Sequence, residues 1–208
     1  MARYTGPVCR LCRRYGEKLM SKGERCFGPK CAFEKRPAPP GERSPRRRRV
    51  SDRALQLREK QKARYGYGVM ERQFRRYYHK AVRQPGVTGE NLMRLLEMRL
   101  DNVVYRLGFT DSRSQARQVV RHGHILLNGR KTNVPSCEVR ASDVIGWRAS
   151  SKNKEPFKVA QEMVKSARVP GWLSLETAAM VGRVLSPPGP GDIEAKFDAS
   201  VIVEFYSR

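Results

Sequence analysis

Four cysteines near the start of the chain constrain its fold more than any other feature. They form two close pairs, Cys9 with Cys12 and Cys26 with Cys31, and thirteen residues separate the pairs. Two such pairs joined by a short loop offer four thiolates to one tetrahedral metal ion. The segment between the pairs is too polar to build a core alone. A bound metal is therefore expected to supply the missing folding free energy.

The residues alone leave the metal open. Zn²⁺ suits a closed site of four thiolates and is the first choice. An iron–sulfur cluster takes the same ligands, and an empty or oxidised site is the third alternative. The chain starts without an apolar signal segment and has no apolar run of about 18 residues, so we expect a reducing, cytoplasmic location and no membrane span. Cys137 stands apart from the pairs and is interpreted as a packing residue.

The charge of the chain predicts a polyanionic partner. Its 208 residues include 43 Lys and Arg against 20 Asp and Glu, which gives a formal net charge of +23. An excess of this size is typical of proteins that bind nucleic acid. A linker rich in proline and glycine follows the cysteines, and we expect its arginine run to form an RNA-binding arm. That run is Arg46, Arg47, Arg48 and Arg49.

Hydrophobic periodicity predicts helices at 51–65, 70–83, 112–121 and 156–167, and one helix or a pair of helices at 88–107. In the helix at 70–83, an aromatic stripe is expected to face the core. Three arginines lie away from the centre of that stripe and are predicted to contact phosphates. They are Arg72, Arg76 and Arg83.

The region from 112 to 131 predicts a second basic surface. Ser112 and Gln115 form a capping-box pattern at the start of a helix, and Asn128-Gly129 is a strong hairpin signal. Arginines spaced four residues apart on this helix are expected to form one ridge, and charge reversal at Arg117 is expected to weaken RNA binding without unfolding the protein. The predicted RNA-binding residues here are Arg113, Arg117, Arg121, His122, Asn128, Arg130 and Lys131.

Short apolar runs predict strands at 124–127, 139–140, 144–147, 173–175 and 181–184, and a terminal strand at 201–206 that pairs back onto the sheet. The predicted fold class is α+β, with a metal-binding N-terminal arm, a helical domain and a small mixed domain. The sheet of the mixed domain is expected to be mostly antiparallel. The expected boundaries are 1–45 for the arm and basic linker, 46–98 for the helical domain, 99–160 for the RNA-binding module and 161–208 for the C-terminal part.

Four segments of the chain are distinctive: GPVCRLCRR from Gly6, RLDNVVYRLGF from Arg99, SRSQARQVVRHGHILLNGR from Ser112 and VEFYSR from Val203. Together they resemble the family of bacterial small-subunit ribosomal protein four, and the likeness covers the whole chain. The pattern of the RNA-binding module named after that family is filled by Gly123, Ile125, Asn128, Gly129, Asp143 and Ile145.

The resemblance implies direct binding to a multi-helix junction of small-subunit ribosomal RNA, early in assembly of the subunit body. It also implies contact with ribosomal protein five, a place beside the messenger entry path and a role in translational accuracy. Some relatives repress their own messenger RNA, and some keep all four cysteines and bind metal.

No catalytic pattern is visible in the sequence, which has no phosphate-binding loop and no nucleophile with an evident base. We therefore expect no enzyme activity. Two alternatives stay open at this point: an RNA-modifying enzyme or its remnant, and a DNA-binding regulator built on a zinc module.

Overall fold

The computed structural model describes residues 3–41, 50–193 and 197–207. The chain divides into two units: Met1–Leu92 with Ala195–Arg208, and Met93–Glu194. The helices of the described residues are α1 (Val8–Tyr15), α2 (Ala32–Lys35), α3 (Asp52–Gly66), α4 (Glu71–Val82), α5 (Thr88–Glu97), α6 (Leu100–Arg106), α7 (Arg113–Arg121), α8 (Glu155–Val164) and α9 (Ala199–Ser207). The strands are β1 (Ile125–Leu127), β2 (Arg130–Lys131), β3 (Val144–Trp147), β4 (Leu173–Glu176) and β5 (Val181–Val184). This mixture is an α+β fold, as predicted, and the domain boundaries stay a prediction.

Helices α3 and α4 of the first unit confirm the periodicity argument. The Ser51 hydroxyl oxygen accepts a hydrogen bond from the Ala54 backbone N–H at 3.4 Å and caps α3. On α4, the rings of Phe74 and Tyr78 are buried and stack on Tyr206 of α9, with centroid distances of 6.3 and 4.6 Å. The aromatic stripe therefore faces the interior of this unit.

The terminal segment corrects one prediction, because 201–206 belongs to helix α9 and not to a strand. Its β-branched residues favour a strand by propensity. The helix nevertheless gains a cap, since the Asp198 carboxylate accepts hydrogen bonds from the Ser200 backbone N–H at 2.8 Å and from its hydroxyl at 2.6 Å. It also gains contacts with α3: Ile202 is fully buried, and Gln56 donates to the Glu204 carboxylate at 3.0 Å. Capping and packing outweigh propensity here.

The second unit contains an antiparallel sheet with the strand order β2-β1-β3-β5-β4 among the described residues. Ile125 of β1 pairs with Trp147 of β3, and Ile145 of β3 pairs with Gly182 of β5. A Cβ atom at Gly182 would lie 2.4 Å from a methyl carbon of Leu107, so glycine lets the chain just after α6 pack closely against the sheet. The apolar core of this unit also includes Phe109, Val120, Phe157 and Trp172.

The strand predicted at 139–140 is absent from this sheet. The segment pairs instead with the connection between α5 and α6: the Val139 backbone N–H donates to the Met98 carbonyl oxygen, and the Leu100 N–H donates to that of Cys137, both at 2.8 Å. The backbone N–H and C=O groups that strand pairing would have satisfied instead form these hydrogen bonds beside the start of α6.

Candidate nucleic-acid interface

Helix α4 and the residue that follows it present a row of cations to solvent, which we call the α4 basic stripe. Because residues four apart lie one turn apart on the same side of a helix, the spacing of the stripe places it along one side of α4, and Phe74 and Tyr78 occupy another, buried side. All four of its side chains are exposed. The stripe consists of Arg72, Arg76, Lys80 and Arg83.

The acidic residue at the start of α4 is engaged inside its own unit. The Glu71 carboxylate accepts hydrogen bonds from the Lys60 ammonium at 2.7 Å and from the Tyr206 hydroxyl at 2.8 Å. Burial raises the pKa of Glu71, but these two hydrogen bonds and the positive charges of Lys60 and Arg64 outweigh it and leave the pKa below its ordinary value. The carboxylate stays ionised, and a buried lysine balances its charge.

The β1–β2 hairpin forms as the sequence predicts. Asn128 and Gly129 have φ angles of 50° and 76°, the left-handed conformation that a tight hairpin turn requires. The exposed residues Arg130 and Lys131 follow this turn. The Asn128 side-chain amide ties the turn to the start of β3, since it donates to the Asp143 carboxylate and accepts from the Val144 backbone N–H, both at 2.8 Å. In the structure it holds the hairpin against β3, and its contact with RNA stays a prediction.

Lys131 crosses the end of α7. A Cβ atom at Gly123 would lie 2.4 Å from the Lys131 Cε atom, and Gly123 has a φ angle of +73°. Glycine therefore serves two purposes at this position: it ends the helix with a left-handed residue, and it leaves room for the aliphatic part of the lysine. The Lys131 ammonium is held beside the loop between α7 and β1.

Cations from two sequence-distant segments meet around His124, and we call this cluster the hairpin patch. The His124 ring lies 6.1 Å from that of His122, and its Nδ1 atom is 2.9 Å from the Ser151 hydroxyl oxygen. Burial lowers the pKa of His124, and the positive charges of Lys154, His122 and Arg148 lower it further. The patch consists of His122, His124, Lys131, Arg148 and Lys154, and the exposed Arg121 and Arg130 are the neighbours of two of its members in the chain.

Arg148 and Lys154 were not among the residues predicted from sequence. They follow β3, more than fifteen residues beyond the hairpin. Their place in the patch depends on the pairing of β1 with β3, which brings the end of β3 next to the start of β1. In the sequence, Arg148 follows the strand pattern of β3 and Lys154 lies in the polar stretch after Ser150. These two patterns are the signals that could have located them.

Helix α7 departs from the predicted ridge, because Arg117 is buried. Its guanidinium donates to the Asp101 carboxylate at 3.1 Å, and the same carboxylate accepts two hydrogen bonds from Arg99, at 3.0 and 2.6 Å. The side chains of Arg99 and Asp101 are 1% and 5% exposed. One buried carboxylate is thus held between two arginines, and Arg117 is a structural residue in this geometry.

Arg113 belongs to a second ion-pair group that surrounds Glu97. The Glu97 carboxylate is fully buried and accepts hydrogen bonds from Arg106 at 3.0 and 3.1 Å and from Asn102 at 2.7 Å. Arg113 donates to the Asn102 side-chain oxygen at 2.6 Å and lies over the Tyr105 ring, 4.8 Å from its centroid. Of the three predicted ridge residues, only Arg121 is exposed. The prediction that the three arginines of α7 form one exposed ridge is therefore wrong.

The four N-terminal cysteines lie in the first unit: Cys9 and Cys12 on α1, Cys26 in a short 3₁₀ helix and Cys31 just before α2. Cys12, Cys26 and Cys31 are buried and Cys9 is partly buried. Burial raises the pKa of the Cys12 thiol, and the charges of Cys26, Cys9 and Cys31 raise it further, whereas a hydrogen bond from the Leu19 backbone N–H, at 3.4 Å, opposes this shift. Four cysteine sulfurs are a set of ligands that suits a metal ion bound by thiolates.

The described side chains do not close a metal site. Across residues 3–41, 50–193 and 197–207, no three His, Cys, Asp or Glu side chains form a group that could hold a metal ion. The structure gives the predicted metal no direct support, so metal binding stays a prediction. The predicted arm residues Arg46, Arg47, Arg48 and Arg49 lie outside the described residues.

Comparison with known proteins identifies the family. Residues 3–97 match the Ribosomal protein S4/S9 N-terminal domain, and residues 98–145 match the S4 domain. The chain is 55% identical to the small ribosomal subunit protein uS4 of Dehalococcoides mccartyi and 54% identical to that of Pelotomaculum thermopropionicum, each over the full length of both chains. The uS4 protein of Thermus thermophilus is 53% identical, again over both full lengths.

The chain belongs to the uS4 family. The resemblance described from the sequence is therefore confirmed, and the uS4 relatives are ribosomal structural proteins, not enzymes. This membership supports neither the RNA-modifying enzyme nor the DNA-binding regulator. In the part of this uS4 chain that the structure describes, no helix is both long enough and apolar enough to cross a membrane.

Proposed function

We propose that this chain is an RNA-binding constituent of the small ribosomal subunit in the cytoplasm. Two clusters of mostly exposed basic side chains carry the proposal in a member of the uS4 family: the α4 basic stripe and the hairpin patch. Arginine and lysine side chains in such clusters neutralise phosphates and release counterions. The shape of a folded ribosomal RNA junction then supplies the specificity, since few RNA folds match the cations that each cluster presents.

The finer role follows the same reasoning. A protein that binds ribosomal RNA directly can join early and nucleate assembly of the subunit body, beside ribosomal protein five, and contribute to translational accuracy. Its own messenger RNA would be bound through the same surfaces if it folds into a similar shape. The charge of the chain and the likeness to uS4 support these roles.

The four cysteines are proposed to bind one Zn²⁺ ion, with an iron–sulfur cluster as the alternative. Two observations support this: the burial of three of the cysteines, and the backbone N–H that donates to the Cys12 sulfur. A donor to sulfur favours the thiolate, the form that binds metals. A bound ion would supply folding free energy to the polar segment around it.

RNA binding is tested by titrating the full-length protein with small-subunit ribosomal RNA at several salt concentrations. We expect affinity to fall steeply as salt rises, and the slope to shrink by about one for each phosphate contact removed. The variants Arg72→Gln/Arg76→Gln and Lys131→Gln/Arg148→Gln each test one surface. The control Lys158→Gln/Lys165→Gln removes the same charge from exposed positions on and next to α8. Equal losses in all three variants would contradict two defined surfaces.

Metal binding is tested by elemental analysis and absorption spectra of the purified protein. We expect the wild type to hold zinc, Cys26→Ser/Cys31→Ser to lose it, and Cys137→Ser to keep it. A coloured protein that contains iron would identify the cluster instead. Wild-type protein without any metal would end this part of the proposal.

A further inference from the structure

Phe27 is the most exposed large apolar side chain of the described residues, at 74%. Single exposed apolar side chains are common on protein surfaces, so exposure alone has no meaning. Two further features make this ring unusual. Its backbone is held by hydrogen bonds, and most of the charged residues near it in the chain are cations.

The backbone around Phe27 is held by a tight turn. The Phe27 and Gly28 backbone N–H groups both donate to the Glu24 carbonyl oxygen, at 2.9 and 3.2 Å, and the Cys31 N–H donates to that of Gly28 at 3.1 Å. The flanking side chains of Cys26 and Cys31 are buried. The ring is therefore presented from an ordered backbone, which lowers the entropy lost when it binds.

A second phenylalanine of the same segment is partly buried. Phe33 packs against the small apolar cluster of Leu11 and Leu19, together with Tyr15 and Tyr65. An interior place for an aromatic ring thus exists close by in the sequence, and Phe27 does not take it. Phe27 lies outside this cluster and stays free to contact a partner.

The charges around the ring favour a nucleic acid as that partner. Lys22, Arg25 and Lys30 are exposed within five residues of Phe27, and the segment contains one acidic residue, Glu24. An aromatic ring among cations is the arrangement by which proteins stack unpaired bases while pairing with the adjacent phosphates. An apolar pocket of another protein would also accept the ring, but it would gain nothing from this net positive charge.

We propose that Phe27 is a stacking platform for an unpaired nucleobase of small-subunit ribosomal RNA, with Lys22, Arg25 and Lys30 beside the neighbouring phosphates. This rests on the proposed function and adds base stacking to a mode of binding that otherwise depends on phosphate neutralisation. The platform selects an unpaired base at one point of the RNA. The bases of a regular helix are stacked on one another and expose no face to the ring.

The experiment compares the full-length wild type with Phe27→Tyr and Phe27→Leu in binding to small-subunit ribosomal RNA. Tyrosine keeps the ring, and leucine keeps only an apolar side chain. We expect Phe27→Tyr to bind as the wild type does and Phe27→Leu to bind about tenfold more weakly. Chemical probing of the bound RNA should show one base that is protected by the wild type and by Phe27→Tyr and reactive with Phe27→Leu.

The outcomes separate this inference from the proposed function. A wild type that fails to bind ribosomal RNA overturns the proposed function. A wild type that binds, together with a Phe27→Leu variant of equal affinity and an unchanged probing pattern, overturns the stacking platform alone. A Phe27→Leu variant that binds naked RNA normally but joins partly assembled subunits poorly would place the ring against a protein, which also overturns it.

Discussion

Helices α4 and α7 both carry arginines four residues apart, Arg72 and Arg76 in the first and Arg113 and Arg117 in the second. In α4 these side chains are exposed. In α7 they lie against acidic and aromatic partners from α5 and α6, and Arg117 is buried. Equal spacing shows that two side chains share a side of a helix, but it does not show whether that side faces solvent or other parts of the protein.

This difference in exposure means that arginine has a different role in each helix. An exposed arginine pairs readily with a phosphate, because its guanidinium group is already in contact with solvent and no protein contact has to be broken. A buried arginine is fixed by its carboxylate, and the desolvation cost of both charges makes the pair sensitive to loss of either partner. The α4 basic stripe is therefore suited to binding, and the arginines of α7 are suited to holding α5, α6 and α7 together.

Replacing the shared carboxylate should give the largest effect. Asp101→Ala leaves Arg99 and Arg117 buried without their common partner, and we expect the free energy of unfolding to fall by about 3–5 kcal/mol. Chemical denaturation followed by circular dichroism measures this. Glu162→Ala, at an exposed position of α8, is the control and should change stability by less than about 0.5 kcal/mol. Equal stability of the two variants would remove the structural role of the network.

Charge reversal tests the two helices directly. Arg117→Glu places a second carboxylate beside Asp101, so we expect a loss of about 3 kcal/mol or more in stability. Arg76→Glu should leave stability within about 0.5 kcal/mol of the wild type and weaken binding to ribosomal RNA. This replaces the sequence-based expectation that Arg117→Glu impairs binding alone. A stable Arg117→Glu protein that binds RNA poorly would restore that expectation.

The hairpin patch can be separated from the turn that builds it with two asparagine variants. Gly123 and Gly129 both have positive φ angles, but only the Cβ position of Gly123 collides with Lys131, while nothing lies within 4 Å of that of Gly129. Asparagine tolerates the left-handed conformation. We expect Gly123→Asn to cost about 1 kcal/mol more than Gly129→Asn, and to weaken RNA binding by displacing Lys131. Matching stability and affinity in the two variants would contradict the packing of Lys131 over Gly123.

The smallest effect concerns pH. The folded protein holds the pKa of His124 below its ordinary value of 6.5, so the unfolded chain binds this proton more readily. Its contribution to stability is complete above pH 6.5 and is lost as the pH falls through the pKa of the folded state. Unfolding measured at several pH values should show a shallower dependence below pH 6.5 for His124→Gln. An unchanged dependence in that variant would show that His124 does not contribute.

Local signals in the sequence determined most of the helices, the hairpin and the caps. Ser51 and Ser112 accept hydrogen bonds from backbone N–H groups three residues later, and the turn at Asn128-Gly129 has the predicted left-handed backbone. These features depend on neighbours within four residues, so the chain specifies them before it folds. The family could also be recognised from the sequence, because its motifs are continuous segments.

The tertiary structure alone decided the use of the arginines and the state of the C-terminus. Burial of Arg117 depends on Asp101, sixteen residues away, and the α9 helix depends on contacts with α3, more than a hundred residues away. The hairpin patch likewise gained Arg148 and Lys154 through strand pairing. The sequence by itself determined which residues share an element and a side. Which of those sides meets water was decided by the burial of apolar surface and by ion pairs between distant segments, and no local pattern contains that information.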